Sequence, residues 1–184
     1  MTKILAIYGS PRKDANTDTL VAEVAKGAAE AGAEIKNFYL RDMDLKFCKG
    51  CMSCQKAPDA VCVQKDDLAL IVNDLKDADA VIIGSPIYFF QFNAATKNLL
   101  DRFYSLLYQF KPKYGAKKLI TCYSQSSPAA DAFKDSFAFT NKCYGALGLE
   151  NVKNLVATNG GPLNSVIGNK ELLAEAYEAG KNLA

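Results

Sequence analysis

Four of the six cysteines are crowded between positions 48 and 62, as Cys48-x2-Cys51-x2-Cys54-x7-Cys62. Six cysteines in 184 residues are too few for a disulfide scaffold, so this crowding reads as ligation in a reducing cytoplasm. A 4Fe-4S cubane needs one thiolate per iron. The x2 spacing lets three consecutive thiolates wrap one small object, Gly50 gives the backbone room to turn, and Cys62 would close the same site. Four thiolates also satisfy a tetrahedral zinc ion. The overlapping C-x-x-C pairs admit a redox dithiol, although the thioredoxin context is missing, and free thiols without any ligand are the plainest alternative. Cys122 and Cys143 fall in a strand pattern and a helix pattern and read as buried core thiols. There is no histidine, which removes imidazole bases, Ser-His-Asp and Cys-His nucleophiles and His-ligated metals.

Two other groups of residues are suited to holding a ligand. After the first apolar run comes Gly9-Ser10-Pro11-Arg12-Lys13-Asp14-Ala15-Asn16-Thr17-Asp18-Thr19. Ser10, Asn16, Thr17 and Thr19 supply hydroxyls and an amide, Arg12 a cation, and the following helix its free N–H groups: a site for a phosphate dianion. Helix capping by Asn16 or Thr17 is the simpler alternative, but it would not call for an Arg and four polar groups in one loop. The loop is neither the G-x-G-x-x-G fingerprint nor a G-x-x-x-x-G-K-[ST] loop. Pro86, Ile87, Tyr88 and Phe89, in a segment free of charge, would make a flat wall for an aromatic ring system. Ser124 opens a third polar loop, Ser124-Gln125-Ser126-Ser127. A phosphate pocket beside an aromatic wall points to FMN.

These loops need a scaffold that brings them together. Apolar strand patterns at Lys3–Tyr8, Ile35–Leu40, Ala80–Gly84, Lys118–Tyr123 and Asn154–Thr158 alternate with helical spacing. The helices are expected over Thr17–Gly32, from Asp66-Asp67 through Leu75, over Asn93–Leu107, Asp131–Leu147 and Asn169–Leu183. Five βα units without a linker or repeat fit one α/β domain over residues 1–184. The fold class is flavodoxin-like: a doubly wound five-stranded parallel sheet of strand order 2-1-3-4-5, with the Cys-rich segment inserted after strand two. In such sheets ligands bind beyond the carboxyl ends of strands one and three, where the odd residues lie.

Gly9-Ser10-Pro11-Arg12 with Asn16-Thr17, then Asp66-Asp67, then Gly84-Ser85-Pro86-Ile87-Tyr88 with Lys97 and Asp101-Arg102, resembles the NADPH-dependent FMN reductase superfamily over about residues 3 to 110. The compact Cys motif is similar to that of the iron-sulfur flavoproteins within it. The resemblance implies a flavodoxin-like fold, FMN and a 4Fe-4S cluster as cofactors, and electron transfer as the role. It implies FMN phosphate contacts at Ser10, Arg12, Asn16 and Thr17 and ring contacts at Pro86, Ile87, Tyr88 and Phe89. Asp66, Lys97, Asp101 and Arg102 recur in the family pattern, yet capping and ion pairing account for them.

The composition, 49% hydrophobic and 23% charged with a net charge of +2, is that of an ordinary globular protein. Charges of both signs are interspersed, so no nucleic-acid footprint is expected, and Gly84-Ser85-Pro86 interrupts the longest uncharged stretch, so no membrane span is expected either. The expected activity is that of an FMN-dependent oxidoreductase passing electrons between a 4Fe-4S cluster and FMN. Without a cluster it would be an NAD(P)H-dependent FMN or quinone reductase, and outside enzymes a flavodoxin-like carrier or zinc-stabilised module. NAD(P)H, a quinone or ferredoxin are the expected redox partners. Phe89, Phe90 and Phe92 are hard to bury in one domain and suggest a contact in a homodimer or homotetramer.

Overall fold

The computed structural model describes residues 1–56, 62–107 and 109–184. Strand β1 (Lys3–Tyr8) is followed by helix α1 (Asn16–Glu30), β2 (Glu34–Tyr39), α2 (Leu68–Asp77) and β3 (Ala80–Tyr88). Then come β4 (Gln91–Phe92), α3 (Ala94–Arg102), α4 (Phe110–Tyr114), β5 (Lys117–Ser124), α5 (Lys134–Ala146), β6 (Leu149–Ala157) and α6 (Lys170–Lys181). The main sheet runs β2-β1-β3-β5-β6, all parallel, which is the expected flavodoxin-like order. The sixth strand, β4, pairs antiparallel with the end of β3 and was not expected.

The order follows from burial. Ala80, Val81, Ile82 and Ile83 are buried on both faces, as a β-branched run in a central parallel strand must be. Ile4, Ala6 and Tyr8 of β1 pack with Leu20, Val21, Val24 and Ala28 of α1 and with α6 on one side. Leu5 and Ile7 pack on the other side with Ile71 and Leu75 of α2, Leu99 of α3 and Tyr144 of α5. Helices α1 and α6 touch through glycine: a Cβ on Gly27 would lie 2.0 Å from the Tyr177 carbonyl oxygen, and one on Gly180 would lie 1.9 Å from that of Val24.

Three boundaries differ most from expectation, for physical reasons. Strand β6 begins at Leu149 rather than Asn154, because it is an edge strand whose Glu150, Lys153 and Asn154 are exposed and carry no apolar alternation. Strand β3 runs past Gly84 to Tyr88, its extension pairing first with β5 and then with β4. The helix beginning at Ala94 ends at Arg102 and gives way to a tighter turn over Phe103–Leu106. Among the described residues no helix is long and apolar enough to cross a membrane.

Candidate functional site

Beyond the carboxyl ends of β1, β3 and β5 lies a cleft of about 190 Å³. Ser10, Arg12, Asn16, Thr17, Pro86, Ile87, Tyr88 and Ser124 all line it, with Gln125 and the Gly160-Gly161 turn. Its centre is polar and buried. Thr17 Oγ1 and Ser124 Oγ are 2.6 Å apart, joining the start of α1 to the end of β5. The Ser10 hydroxyl closes its own loop, accepting from Arg12 N at 3.1 Å and donating to Arg12 O at 3.0 Å. Arg12 is exposed at the rim. The N-cap of α1 is Ala15, which has no side-chain acceptor, so neither Asn16 nor Thr17 caps the helix as the simpler reading had it.

Two expected residues, Thr19 and Phe89, lie outside the cleft lining, and a third, Asn16, lies in it with its amide engaged elsewhere. Asn16 lines the cleft, but its amide is spent on a neighbouring loop. Its Nδ2 donates to Pro162 O at 3.0 Å and Gly160 O at 3.3 Å, and its Oδ1 accepts from Val166 N at 2.9 Å. Thr19 lies outside the cleft lining, because two residues of helix turn it roughly 200° from Thr17. Phe89 also lies outside. The chain reverses at Phe89-Phe90, leaving Phe89 95% exposed at the hairpin tip. Both residues have positive φ, 45° and 68°, as a two-residue hairpin loop requires and as phenylalanine rarely adopts.

The loops are held by residues that motif reading passes over. Asp18, buried in α1, accepts from Arg41 Nη1 at 2.7 Å and Asp14 N at 3.3 Å, and Arg41 also donates to Ser10 O at 3.3 Å. Burial pushes the Asp18 carboxyl above its ordinary value, against the pull of Arg41. Asn93 caps α3 through Thr96 N, accepts from Ser85 Oγ and donates to Gly9 O at 2.6 Å. That ties the first loop to the third. Gly9 is indispensable there, since a Cβ would stand 2.1 Å from Thr96 Oγ1 and 2.4 Å from the Gly84 carbonyl. The cue in the sequence was local: Asp18 and Asn93 are polar residues at helix starts.

A second and larger cavity, about 1050 Å³, lies between the Cys-rich segment, α3 and α5. Cys48, Cys51, Cys54 and Cys62 all line it. Residues 57–61 of that loop lie outside the described residues. Gly50 and Met52 on either side of Cys51 have φ of 62° and 58°, so the chain turns sharply twice around that thiol. The Ser53 hydroxyl and N–H, with Lys49 nearby, lower the Cys51 thiol below its ordinary pKa. All six cysteines are free, and among the described residues no three Cys, Asp or Glu groups are gathered closely enough to hold a metal ion. Cys122 is a buried core thiol as expected. Cys143 is not: it is half-buried and lines this same cavity, because its side of α5 faces the loop rather than the sheet.

The neck of the loop is laced shut. Asp67 accepts from Asp44 N at 2.8 Å, Asp66 from Lys46 N at 3.0 Å, and Gln64 donates to Phe47 O at 2.9 Å. Arg102 of α3 pairs with both Asp66 oxygens, at 2.5 and 3.0 Å, and also donates to the Lys46 carbonyl. Capping and ion pairing do account for Asp66 and Arg102, but the pair is fully buried and its place is the loop neck. Burial works to raise the Asp66 carboxyl, yet Arg102 and the Lys46 N–H hold it below its ordinary value. Lys97–Asp101 is an exposed i,i+4 pair of little weight.

The β3–β4 hairpin stands between the two cavities. Ile87 and Tyr88 line the cleft, and their cross-strand partners Phe92 and Gln91 line the cysteine cavity. Phe92 is a core residue, stacked on Tyr123 with ring centroids 5.4 Å apart.

Comparison with known proteins agrees with this architecture. A stretch of 100 residues is 41% identical to an iron-sulfur flavoprotein of Archaeoglobus fulgidus, covering 54% of this chain and 48% of that protein. An iron-sulfur flavoprotein of Methanocaldococcus jannaschii is similar at 40% identity over 100 residues, 54% of this chain and 51% of the relative. The match thus spans about half the length of these relatives. The FMN-dependent NADH-azoreductase of Bacillus anthracis, solved in complex with FMN, shares the fold with a TM-score of 0.74 at 16% identity over 100% of both chains. The sequence also matches the description of NADPH-dependent FMN reductases from residue 2 to residue 138. With three quarters of its length inside that match and the sheet order to go with it, the chain belongs to the NADPH-dependent FMN reductase family.

Proposed function

We propose that the chain is an FMN-dependent oxidoreductase in which FMN occupies the polar cleft and Cys48, Cys51, Cys54 and Cys62 hold a 4Fe-4S cluster in the neighbouring cavity. The observation that carries this reading is the shared wall, one hairpin with a polar cleft on one side and four thiols on the other. The residues suit both groups. Arg12 at the rim, the buried hydroxyls of Ser10, Thr17 and Ser124, and the α1 start would take a phosphate dianion. Asn16 would act by fixing the Gly160 loop over it. Pro86, Ile87 and Tyr88 would lie along the ring system. Among the described lining residues the four thiols of the motif, with Cys143, stand against a single carboxylate, Asp101, and thiolates are the donors of an iron–sulfur centre rather than of a hard cation. Bound there, FMN would supply hydride and two-electron chemistry and the cluster one-electron chemistry. The names of the two curated relatives support the pairing.

NAD(P)H is the proposed donor, a quinone or a ferredoxin-like protein the proposed acceptor, and the cytoplasm the setting that keeps the thiols reduced. A second reading, a flavin or quinone reductase without a cluster, draws on the described thiols not being gathered to coordinating distance. The test of the oxidoreductase reading is to load the anaerobic protein with FMN and add NADPH or NADH. Bleaching of the bound flavin, reversed by a quinone, is the expected result. A flavin that neither nucleotide bleaches would overturn it.

A further inference from the structure

The wall of the cysteine cavity carries three buried polar atoms without a partner among the described residues: the acceptor Gln64 Oε1, and two that can donate, Arg102 Nε and Ser105 Oγ. Arg102 and Ser105 are each 2% exposed. Nothing about the sheet requires them. Arg102 could have kept its ion pair at the surface, and Ser105, buried with Phe103 and Leu106 in the turn over Phe103–Leu106, occupies a position that alanine would fill.

The guanidinium is oriented by what it already holds. One end is taken by Asp66 and the Lys46 carbonyl at the neck of the loop, through Nη1 and Nη2, which leaves Nε as the one guanidinium nitrogen without a hydrogen bond to Asp66 or Lys46. The Cys62 thiol interacts with the same guanidinium. Ser105 follows three residues later and lines the same wall, with a hydroxyl that has a proton to give. A buried donor without an acceptor costs free energy, so two of them on one wall, beside four thiols, call for a group rich in acceptors.

Resting on the cluster reading above, the geometry points to Arg102 Nε and Ser105 Oγ as hydrogen-bond donors to the sulfur atoms of the cysteine-held cluster, raising its reduction potential. The physical reason is charge. When the cluster takes up one electron no bond forms or breaks, but the sulfurs become more negative and accept hydrogen bonds more strongly. Donors fixed beforehand therefore favour the reduced form. Asp66 balances the Arg102 charge, so the effect lies in the direction of the N–H and O–H bonds rather than in net charge. One consequence is that the cluster is tuned by α3 and the turn after it, outside the cysteine motif.

The test is an EPR-monitored redox titration of the anaerobically reconstituted protein with FMN present, for the parent, Ser105→Ala, Ser105→Thr and Arg102→Lys. Ser105→Ala and Arg102→Lys should shift the cluster to a more negative potential, and Ser105→Thr, which keeps the hydroxyl, should restore the parent value. An unshifted potential in Ser105→Ala, or a Ser105→Thr shift as large as that of Ser105→Ala, overturns the inference while leaving the cluster in place. If Arg102→Lys fails to fold, the two Ser105 variants decide. A parent that takes up no cluster overturns the reading beneath it and the inference with it.

Discussion

Ile87 and Phe92 are cross-strand partners in the β3–β4 hairpin, yet they line different cavities, Ile87 the polar cleft and Phe92 the cysteine-lined one. A two-stranded hairpin thus lies between the two proposed cofactor sites. Phe92 is stacked on Tyr123, and Tyr123 on Phe137 of α5, so this wall is anchored in an aromatic column rather than free to swing.

The first expectation concerns the cleft. Arg12→Ala with Thr17→Ala removes a rim cation and a buried hydroxyl without touching the Asp18–Arg41 or Asn93 supports. Hydrogen bonds to charged groups contribute about 1.5–3 kcal/mol each, so FMN affinity should fall by at least about tenfold in a fluorescence titration. Equal affinity of variant and parent would mean that the phosphate lies elsewhere.

Acid should act on the loop neck. The Asp66 carboxyl is held below its ordinary value of 3.8, so its stabilising contribution is fully present above pH 3.8 and is lost as the pH falls through the lower folded-state value. Asp66→Asn leaves the buried Arg102 charge unbalanced, which costs about 3–5 kcal/mol near neutral pH. Urea unfolding at pH 7 and at successively lower pH should therefore show the gap between parent and variant closing below pH 3.8. A gap independent of pH would show that the pair is not ionised.

Two glycine substitutions should have opposite effects. Gly27→Ala puts a methyl group 2.0 Å from the Tyr177 carbonyl and should destabilise by about 1–3 kcal/mol, because backbone cannot step aside. In α5, Gly145 has nothing within 4 Å of a would-be Cβ, and Gly145→Ala should stabilise by up to about 1 kcal/mol. Chemical denaturation of both variants checks the sign.

At the hairpin tip, Phe89 and Phe90 are 95% and 70% exposed in backbone conformations that favour Asn-Gly. Two exposed aromatic side chains on a tip of that conformation are suited to a contact between copies of the chain. Replacing the pair by Asn-Gly should lower the mass seen by sedimentation while keeping or raising the unfolding temperature. An unchanged mass would mean that the tip makes no such contact.

How much of this was legible beforehand follows from where the signal was local. The buried run Ala80–Ile83 and the spacing of Leu20, Val21, Val24 and Ala28 each betray one element, and alternation of such elements is enough for the sheet order. Strand β4 was hidden because two residues have no periodicity, and the start of β6 because an exposed edge strand needs no apolar alternation. In the site, Ser10, Thr17, Pro86 and Ser124 were readable because they stand at strand ends or, for Thr17, in the first turn of the helix that follows one. The Arg41–Asp18 pair was not, since its members are 23 residues apart and meet only through the fold. For the same reason Cys143 looked like core although it faces the cysteine cavity, and the hydrogen bonds by which Asn16, in the cleft lining, fastens the loop after β6 were not readable.

The central claim is that one chain carries both groups, and metal and flavin analysis of the same sample tests it most directly. The protein, reconstituted anaerobically with FMN, iron and sulfide and passed through a desalting column, should retain one FMN and four irons per chain. Changing any one of Cys48, Cys51, Cys54 or Cys62 to Ser should remove or destabilise the iron and spare the FMN, whereas Cys122→Ser should retain both. A desalted parent protein with FMN but no iron, and no cluster absorption, would contradict the account.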